Sequence, residues 1–194
     1  MKKEEELHRY HIHVTSEDKK APRGFKLTSI ILEKKKVIEE HNMFTRTFVG
    51  TTDVQRDVEF MKSNFLKMFT CIQRFKIELL NEPKYIDKYT EENYREIHIK
   101  LTIKKEEFLE VKNMLKIFED SLGYSLSNNP KEIETNYISQ FINCRFLNDT
   151  YEDSEIKLDK IKQMLKLNNI NIKEIKDELT IYDTNFTLDR WWAH

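Results

Sequence analysis

Two five-residue stretches carry side chains suited to proton and anion chemistry: His11-Ile12-His13-Val14-Thr15 and His98-Ile99-Lys100-Leu101-Thr102. In each, the first, third and fifth positions share one side of an extended chain, because successive strand side chains point to opposite faces. Imidazoles exchange protons near neutral pH, and a lysine ammonium and threonine hydroxyls hold phosphate oxygens. If the two stretches face one another, His13 and His98 are the candidate acid and base, and His11, Thr15, Lys100 and Thr102 are candidate ligand contacts. Lys26 and Arg46 add candidate phosphate contacts, and Tyr182 a ring able to stack on a base at one end of such a cleft. The plainer reading is that both stretches are ordinary strands with solvated polar faces, where histidine and threonine are tolerated.

These side chains must be positioned by the elements around them. Residues 9–15 alternate Tyr10, Ile12 and Val14 against Arg9, His11, His13 and Thr15, the pattern of a half-buried strand. Residues 27–32 and 44–49 are rich in β-branched and aromatic side chains and read as two more strands. Thr52 or Asp53 then caps a helix with the apolar stripe Val54, Val58, Met61, Phe65 and Met68. Phe75, Ile77 and Leu79 alternate with Lys76 and Glu78 in a fourth strand.

The cycle restarts after a polar connection over 81–94. A strand near 96–103 precedes a helix bearing Phe108, Val111, Leu115, Phe118 and Leu122, with Gly123 as its C-cap. Asn128, Asn129 and Pro130 signal a turn, and residues 137–146 a strand. Ser154 is a candidate cap for a helix bearing Leu158, Ile161 and Leu165, and the last strand sets Ile175, Leu179 and Ile181 opposite Lys176, Glu178, Thr180 and Tyr182.

The second half thus reads β-α-β-β-α-β, the order of a ferredoxin-like domain, and the first half reads likewise with its first helix replaced by the connection over 16–25. The expectation is an α+β protein of two ferredoxin-like halves, residues 1–80 and 95–194 with the C-terminal tail, joined by 81–94. Their antiparallel-rich sheets would pack side by side around a central cleft, with helices over the apolar faces. Phe65, Phe75, Ile77, Ile99, Leu101, Phe118, Leu165 and Ile181 are the expected core.

Composition narrows the chemistry. The chain of 194 residues has 39% hydrophobic and 35% charged residues with a formal net charge of −1, which favours a folded, well-solvated body and gives no basic field for nucleic acid. Only 3 glycines are present, without a phosphate-cradling glycine loop, and there is no HExxH set and no GxSxG elbow. No metal and no cofactor are expected on these grounds. Cys71 and Cys144 lack metal-ligand or redox spacing and no apolar leader precedes Met1-Lys2-Lys3-Glu4, so reduced thiols, a cytoplasmic address and no membrane contact are expected. Lys34-Lys35-Lys36 reads as a solvated face or turn, and His8, His41 and His194 as isolated residues.

His13-Val14-Thr15 resembles the motif of the 2H phosphoesterase superfamily, in which each of two lobes brings a histidine, a hydrophobic residue and a hydroxyl residue on a central strand. His98-Ile99-Lys100 departs from it, with lysine in the hydroxyl position and Thr102 two residues late. That likeness implies a metal-independent phosphodiesterase acting on a nucleotide or RNA-end cyclic phosphate. A second likeness covers nearly the whole chain. The Tyr10-His11-Ile12-His13-Val14-Thr15 start and the Ile181-Tyr182-Asp183-Thr184-Asn185 and Leu188-Asp189-Arg190-Trp191 ending resemble a widespread set of uncharacterised proteins, and imply one intact architecture without an activity. Within the ending, Asp183 and Asn185 are suited to turn the chain off its strand, and Trp191 and Trp192 to pin the tail.

Three functions therefore stand beside one another: a phosphodiesterase, a binding module that captures a phosphorylated small molecule or short nucleic acid without chemistry, and a protein-interaction platform.

Overall fold

The computed structural model describes the backbone of residues 7–34, 37–133 and 136–188, and the side chains of all of these except 28–34, 37–41 and 128–133. The side chains of Lys34 and His41, and residues Lys35, Lys36, Trp191, Trp192 and His194 altogether, lie outside what is described. The architecture is mixed α/β, with strands β1 (Arg9–Ser16), β2 (Lys26–Lys34), β3 (Val37–Val49), β4 (Ile72–Leu80), β5 (Tyr94–Lys104), β6 (Tyr124–Ile133), β7 (Tyr137–Phe146) and β8 (Ile172–Asp183). Three α-helices accompany them among the described residues: α1 (Val54–Phe65), α2 (Phe108–Leu122) and α3 (Tyr151–Leu167).

All eight strands belong to one sheet in the order β2-β3-β1-β4-β8-β5-β7-β6, with every neighbouring pair antiparallel. This corrects the expectation of two sheets: β4 and β8 pair directly and make the sheet continuous. A flat sheet would hold its edge strands about 34 Å apart, at seven spacings of about 4.8 Å. Instead β2 and β6 approach each other, so the sheet curls toward closure.

The face turned inward follows from size. The interior of an eight-stranded barrel has room for side chains only, whereas a helix with its side chains is about 10 Å across. The helices must therefore lie outside, on the apolar face, and the polar face lines the curl. The core between sheet and helices includes Tyr10, Ile12, Val14, Phe44, Phe75, Ile77, Ile97, Ile99, Leu101 and Leu179 from the strands and Met61, Phe65, Leu115, Ile161 and Leu165 from the helices. Of the expected core, Phe118 and Ile181 are only partly buried against it.

Local signals explain the helix ends. Asp53 caps α1 by accepting from the Arg56 amide, and Gly123 ends α2 in the left-handed region at φ 67°. The cap of α3 is Thr150, not Ser154: Thr150 and Asp153 form a reciprocal capping box. Ser154 instead sits inside the helix, fully buried, and accepts from Arg95 Nη1 at 2.6 Å. The turn expected at 128–130 is also corrected, since β6 runs through it with a slip in its pairing to β7. Gly50 is needed for close approach: a Cβ there would overlap the Asp57 carboxylate, which accepts from Tyr10 Oη at 2.9 Å and from the Thr51 amide at 2.7 Å.

Candidate functional site

The polar alternates of β1, β4, β5, β7 and β8 meet inside the curl. His11 lies beside Glu78, which lies beside Thr180, in one row across β1, β4 and β8. Glu96 pairs with Glu178 on one side and with Arg145 on the other, and His98 pairs with Asn143. The strands β1 and β5 are three spacings apart, about 14 Å in a flat sheet. Even so, His11 Nδ1 donates to Glu178 Oε1 at 2.6 Å while His98 Nε2 lies 3.4 Å from Glu178 Oε2. Curling and the reach of Glu178 close that gap.

Each imidazole is held differently. His13 is engaged at both nitrogens, with Nε2 2.7 Å from Glu78 Oε2 and Nδ1 3.1 Å from Thr45 Oγ1. His98 is oriented from behind: Asn143 Nδ2 donates to Ser127 Oγ at 2.9 Å, which turns Asn143 Oδ1 toward His98 Nδ1 at 2.8 Å. The Nδ1–H of His98 is thereby committed, and Nε2 faces Glu178 and, at 3.8 Å, Glu96. His11 stands edge-on to His13, with ring centroids 5.8 Å apart.

Buried ion pairs make the floor. Lys76 bonds Glu78 and, at 2.6 Å, Glu96 Oε2, while Arg145 Nε donates to Glu96 Oε1 at 2.7 Å. Burial alone would favour a neutral Lys76, but Glu78 and Glu96 beside it override that and hold the ammonium above the ordinary lysine range. Burial likewise raises the carboxyls, but Lys76 and His13 hold Glu78 well below the usual range, and Arg145 and Lys76 do the same for Glu96. Next to this floor, Thr180 is wholly buried and its hydroxyl has no hydrogen-bond partner; the Thr102 hydroxyl on the same face also lacks one.

The far end of the floor is closed by the last strand. Asp183 accepts from Arg74 Nε at 2.9 Å and from Tyr94 Oη at 2.6 Å, and burial is outweighed by these partners so that its carboxyl stays low. Its Oδ1 also takes the Asn185 amide at 3.0 Å, Thr184 Oγ1 takes the Phe75 amide at 2.8 Å, and Asn185 Nδ2 donates to the Gln73 carbonyl at 3.1 Å. The turning role expected of Asp183 and Asn185 is thus present in detail.

Of the residues singled out in the sequence, His11, His13, Thr15, His98, Lys100 and Thr102 all fall on the inner polar face. Lys100 Nζ lies over the Phe141 ring at 5.5 Å. Arg46 and Tyr182 do not join them. Arg46 pairs with Ile12 on the apolar side and stacks over Phe65 at 4.7 Å from the ring centroid. A bulge in the β4–β8 pairing skips Ile181 and places Tyr182 opposite Ile77, against Phe75 and under Lys62 of α1. Period-two counting cannot detect that bulge, which is why Tyr182 was expected on the Glu178 side.

The carboxylates that organise the site, Glu78, Glu96 and Glu178, were missed as functional candidates because charged strand alternates ordinarily face water. Their only signal in the sequence was their position on strands that also carry the histidines. The structure also assembles what no short motif shows: one ligand atom each from His11, His13, Glu78 and Glu178 lies within 4.8 Å of the others. Comparison with family models, curated proteins and solved structures finds no match for this chain. No helix among the described residues is long and apolar enough to cross a membrane.

Proposed function

We propose that the inner face of the curled sheet binds a small phosphorylated ligand, a nucleotide or an RNA-end phosphate, and cleaves its phosphoester with His98 as the proton-transfer group. The observation that carries this reading is the convergence of His98 and His11 on the single carboxylate Glu178. An imidazole whose Nδ1–H is fixed by Asn143 keeps Nε2 for proton exchange, and a neighbouring carboxylate stabilises the imidazolium that forms. Lys100 and Thr102, the next inner-face residues of β5, would hold phosphate oxygens in this reading. His13, tied at both nitrogens, is a fixed part of the wall in this reading and does not share the acid and base roles with His98.

The same proposal includes a repeated four-strand unit. The adjacency β2-β3-β1-β4 recurs as β6-β7-β5-β8, each with its last helix before its last strand, which is the ferredoxin-like order on both sides of the β4–β8 seam. A cytoplasmic address goes with it, in keeping with the free thiols of Cys71 and Cys144.

A capture module without chemistry is the second reading. It is favoured by Lys76, a buried cation at the centre of the site that is already matched by Glu78 and Glu96 and so is not spare for substrate charge. Hydrolysis of 2′,3′-cyclic nucleotides, cyclic dinucleotides and short RNA, with and without chelator, separates the two. The expected result is turnover that His98→Ala lowers about 10²–10⁴-fold at unchanged folding. Binding without hydrolysis moves the protein to the capture reading, and neither binding nor hydrolysis sinks both.

A further inference from the structure

We propose that His11, His13, Glu78 and Glu178 form a binding site for one divalent first-row transition-metal ion, such as zinc. The four donor atoms come from β1, β4 and β8 and lie within 4.8 Å of one another. Metal–nitrogen and metal–oxygen bonds of about 2.0–2.2 Å set donors about 3.4 Å apart in a tetrahedron. The His11–Glu178 and His13–Glu78 contacts, at 2.6 and 2.7 Å, would open by under about 1 Å, and the widest separation would close by a little over 1 Å, both within side-chain rotation. Imidazole with carboxylate is a donor set for zinc, manganese, iron or cobalt, whereas magnesium and calcium favour all-oxygen shells.

The surroundings support ligation. Each carboxylate turns one oxygen to an imidazole and anchors the other: Glu78 Oε1 on Lys76, Glu178 Oε2 toward His98. Thr45 Oγ1, 3.1 Å from His13 Nδ1, can accept that N–H and leave Nε2 as the metal-facing nitrogen, the outer-shell arrangement that fixes a ligand's tautomer. With the floor included, Glu78, Glu96 and Glu178 against Lys76 and Arg145 leave one negative charge, which a divalent ion with two neutral imidazoles turns to one positive, so neither state holds more than a single unmatched charge. Independently, the Thr180 hydroxyl, wholly buried and without a hydrogen-bond partner, sits in register with Glu78 and two residues from Glu178 on the same face. Rotation of Glu78 onto the ion would bring a carboxylate oxygen to this hydroxyl as the acceptor it lacks, an outer-shell contact that leaves the four donors in place.

This site shares His11 and Glu178 with the proposed phosphoester site, but ion binding is read without any substrate, so its failure and the failure of that reading are distinguishable. Full-length protein stripped by chelator is titrated with zinc by calorimetry, and with cobalt(II) by its visible d–d absorption. One equivalent is expected to bind, with tetrahedral-type cobalt bands and a zinc-dependent rise in Tm. His11→Gln and His13→Gln, which keep a hydrogen-bond donor for each carboxylate, are expected to lose more than the roughly 10–100-fold in affinity that follows from removing an outer-shell partner. Thr45→Ala is expected to lose about 10-fold. Stoichiometric zinc retained in a folded His11→Gln/His13→Gln double variant overturns the proposal, as does the absence of uptake by the unaltered protein.

Discussion

Two sets of buried charges lie on opposite faces of the same sheet, and they are built differently. On the helix side, Arg95 is 1% exposed and saturated: Nε and Nη2 donate to Asp177 at 2.9 and 2.6 Å, Nη1 to Ser154 at 2.6 Å and Nη2 to Glu155 at 2.7 Å. Tyr151 lies beneath its guanidinium at 5.0 Å. The ordinary penalty of burial on Arg95 is outweighed by Asp177 and Glu155, so the cation is held more firmly than in water. On the inner side, Lys76, Glu78 and Glu96 are buried and the Arg145 side chain nearly so, but three imidazoles and two partnerless threonine hydroxyls stand among them. A saturated cluster fastens α3 to β5 and β8. A cluster with exchangeable protons and spare hydroxyls is one that can take a ligand.

Removing one cation from each set tests whether the two faces differ in this way. Lys76→Met should cost about 3–5 kcal/mol in denaturant unfolding, because it leaves the buried Glu78 and Glu96 unmatched, and Arg95→Met should cost less, because Asp177 and Glu155 keep partial exposure to water. Only Lys76→Met should also disturb zinc or nucleotide binding by the folded fraction; loss of binding in Arg95→Met would mean that the two faces are not independent. Phe65→Ala provides an apolar reference on the helix side, at about 3–5 kcal/mol, and Phe118→Ala, only partly buried, should cost clearly less.

Acid separates the faces further. Glu78, Glu96 and Asp183 have folded-state values below their unfolded ones, so in the intervening range the unfolded chain binds more protons and stability rises with pH. Their contribution is present in full above the unfolded glutamate value of about 4.3 and is lost as pH falls through the depressed folded values. Lys76, raised, contributes fully below about 10.4 and loses that contribution only as pH climbs past its still higher folded value. Stability from this network should therefore be level between about pH 5 and 10, with an acid limb that Glu78→Gln flattens. An acid limb of undiminished steepness in that variant would place the linkage elsewhere.

The smallest expected effect on folding is that of His98→Gln, within about 1 kcal/mol, since the glutamine can still reach Asn143 and the imidazole is partly exposed. If this variant instead unfolds like Lys76→Met, His98 belongs to the fastening set and not to the site.

Much of the scaffold was legible before the fold was known. The strand over 137–146, the apolar stripe of α1 as far as Phe65, the Asp53 cap and the Gly123 end follow from local rules of periodicity and capping and appear where expected, whereas Met68 falls beyond the end of α1 and is exposed. The inward residues of β1 and β5 were likewise correct from alternation alone, because that alternation depends only on neighbouring residues along one strand. Tertiary structure decided the rest. Pairing of β4 with β8 merged two expected sheets into one, the β8 bulge moved Tyr182 to the apolar side, and curling brought Glu178 within reach of histidines three strands apart. It also turned Glu78 and Glu96 from apparent solvent charges into buried partners of Lys76. Such facts depend on contacts between residues some 20 to 170 positions apart in the chain, as in Lys76 with Glu96 and His11 with Glu178, and no local pattern carries that information.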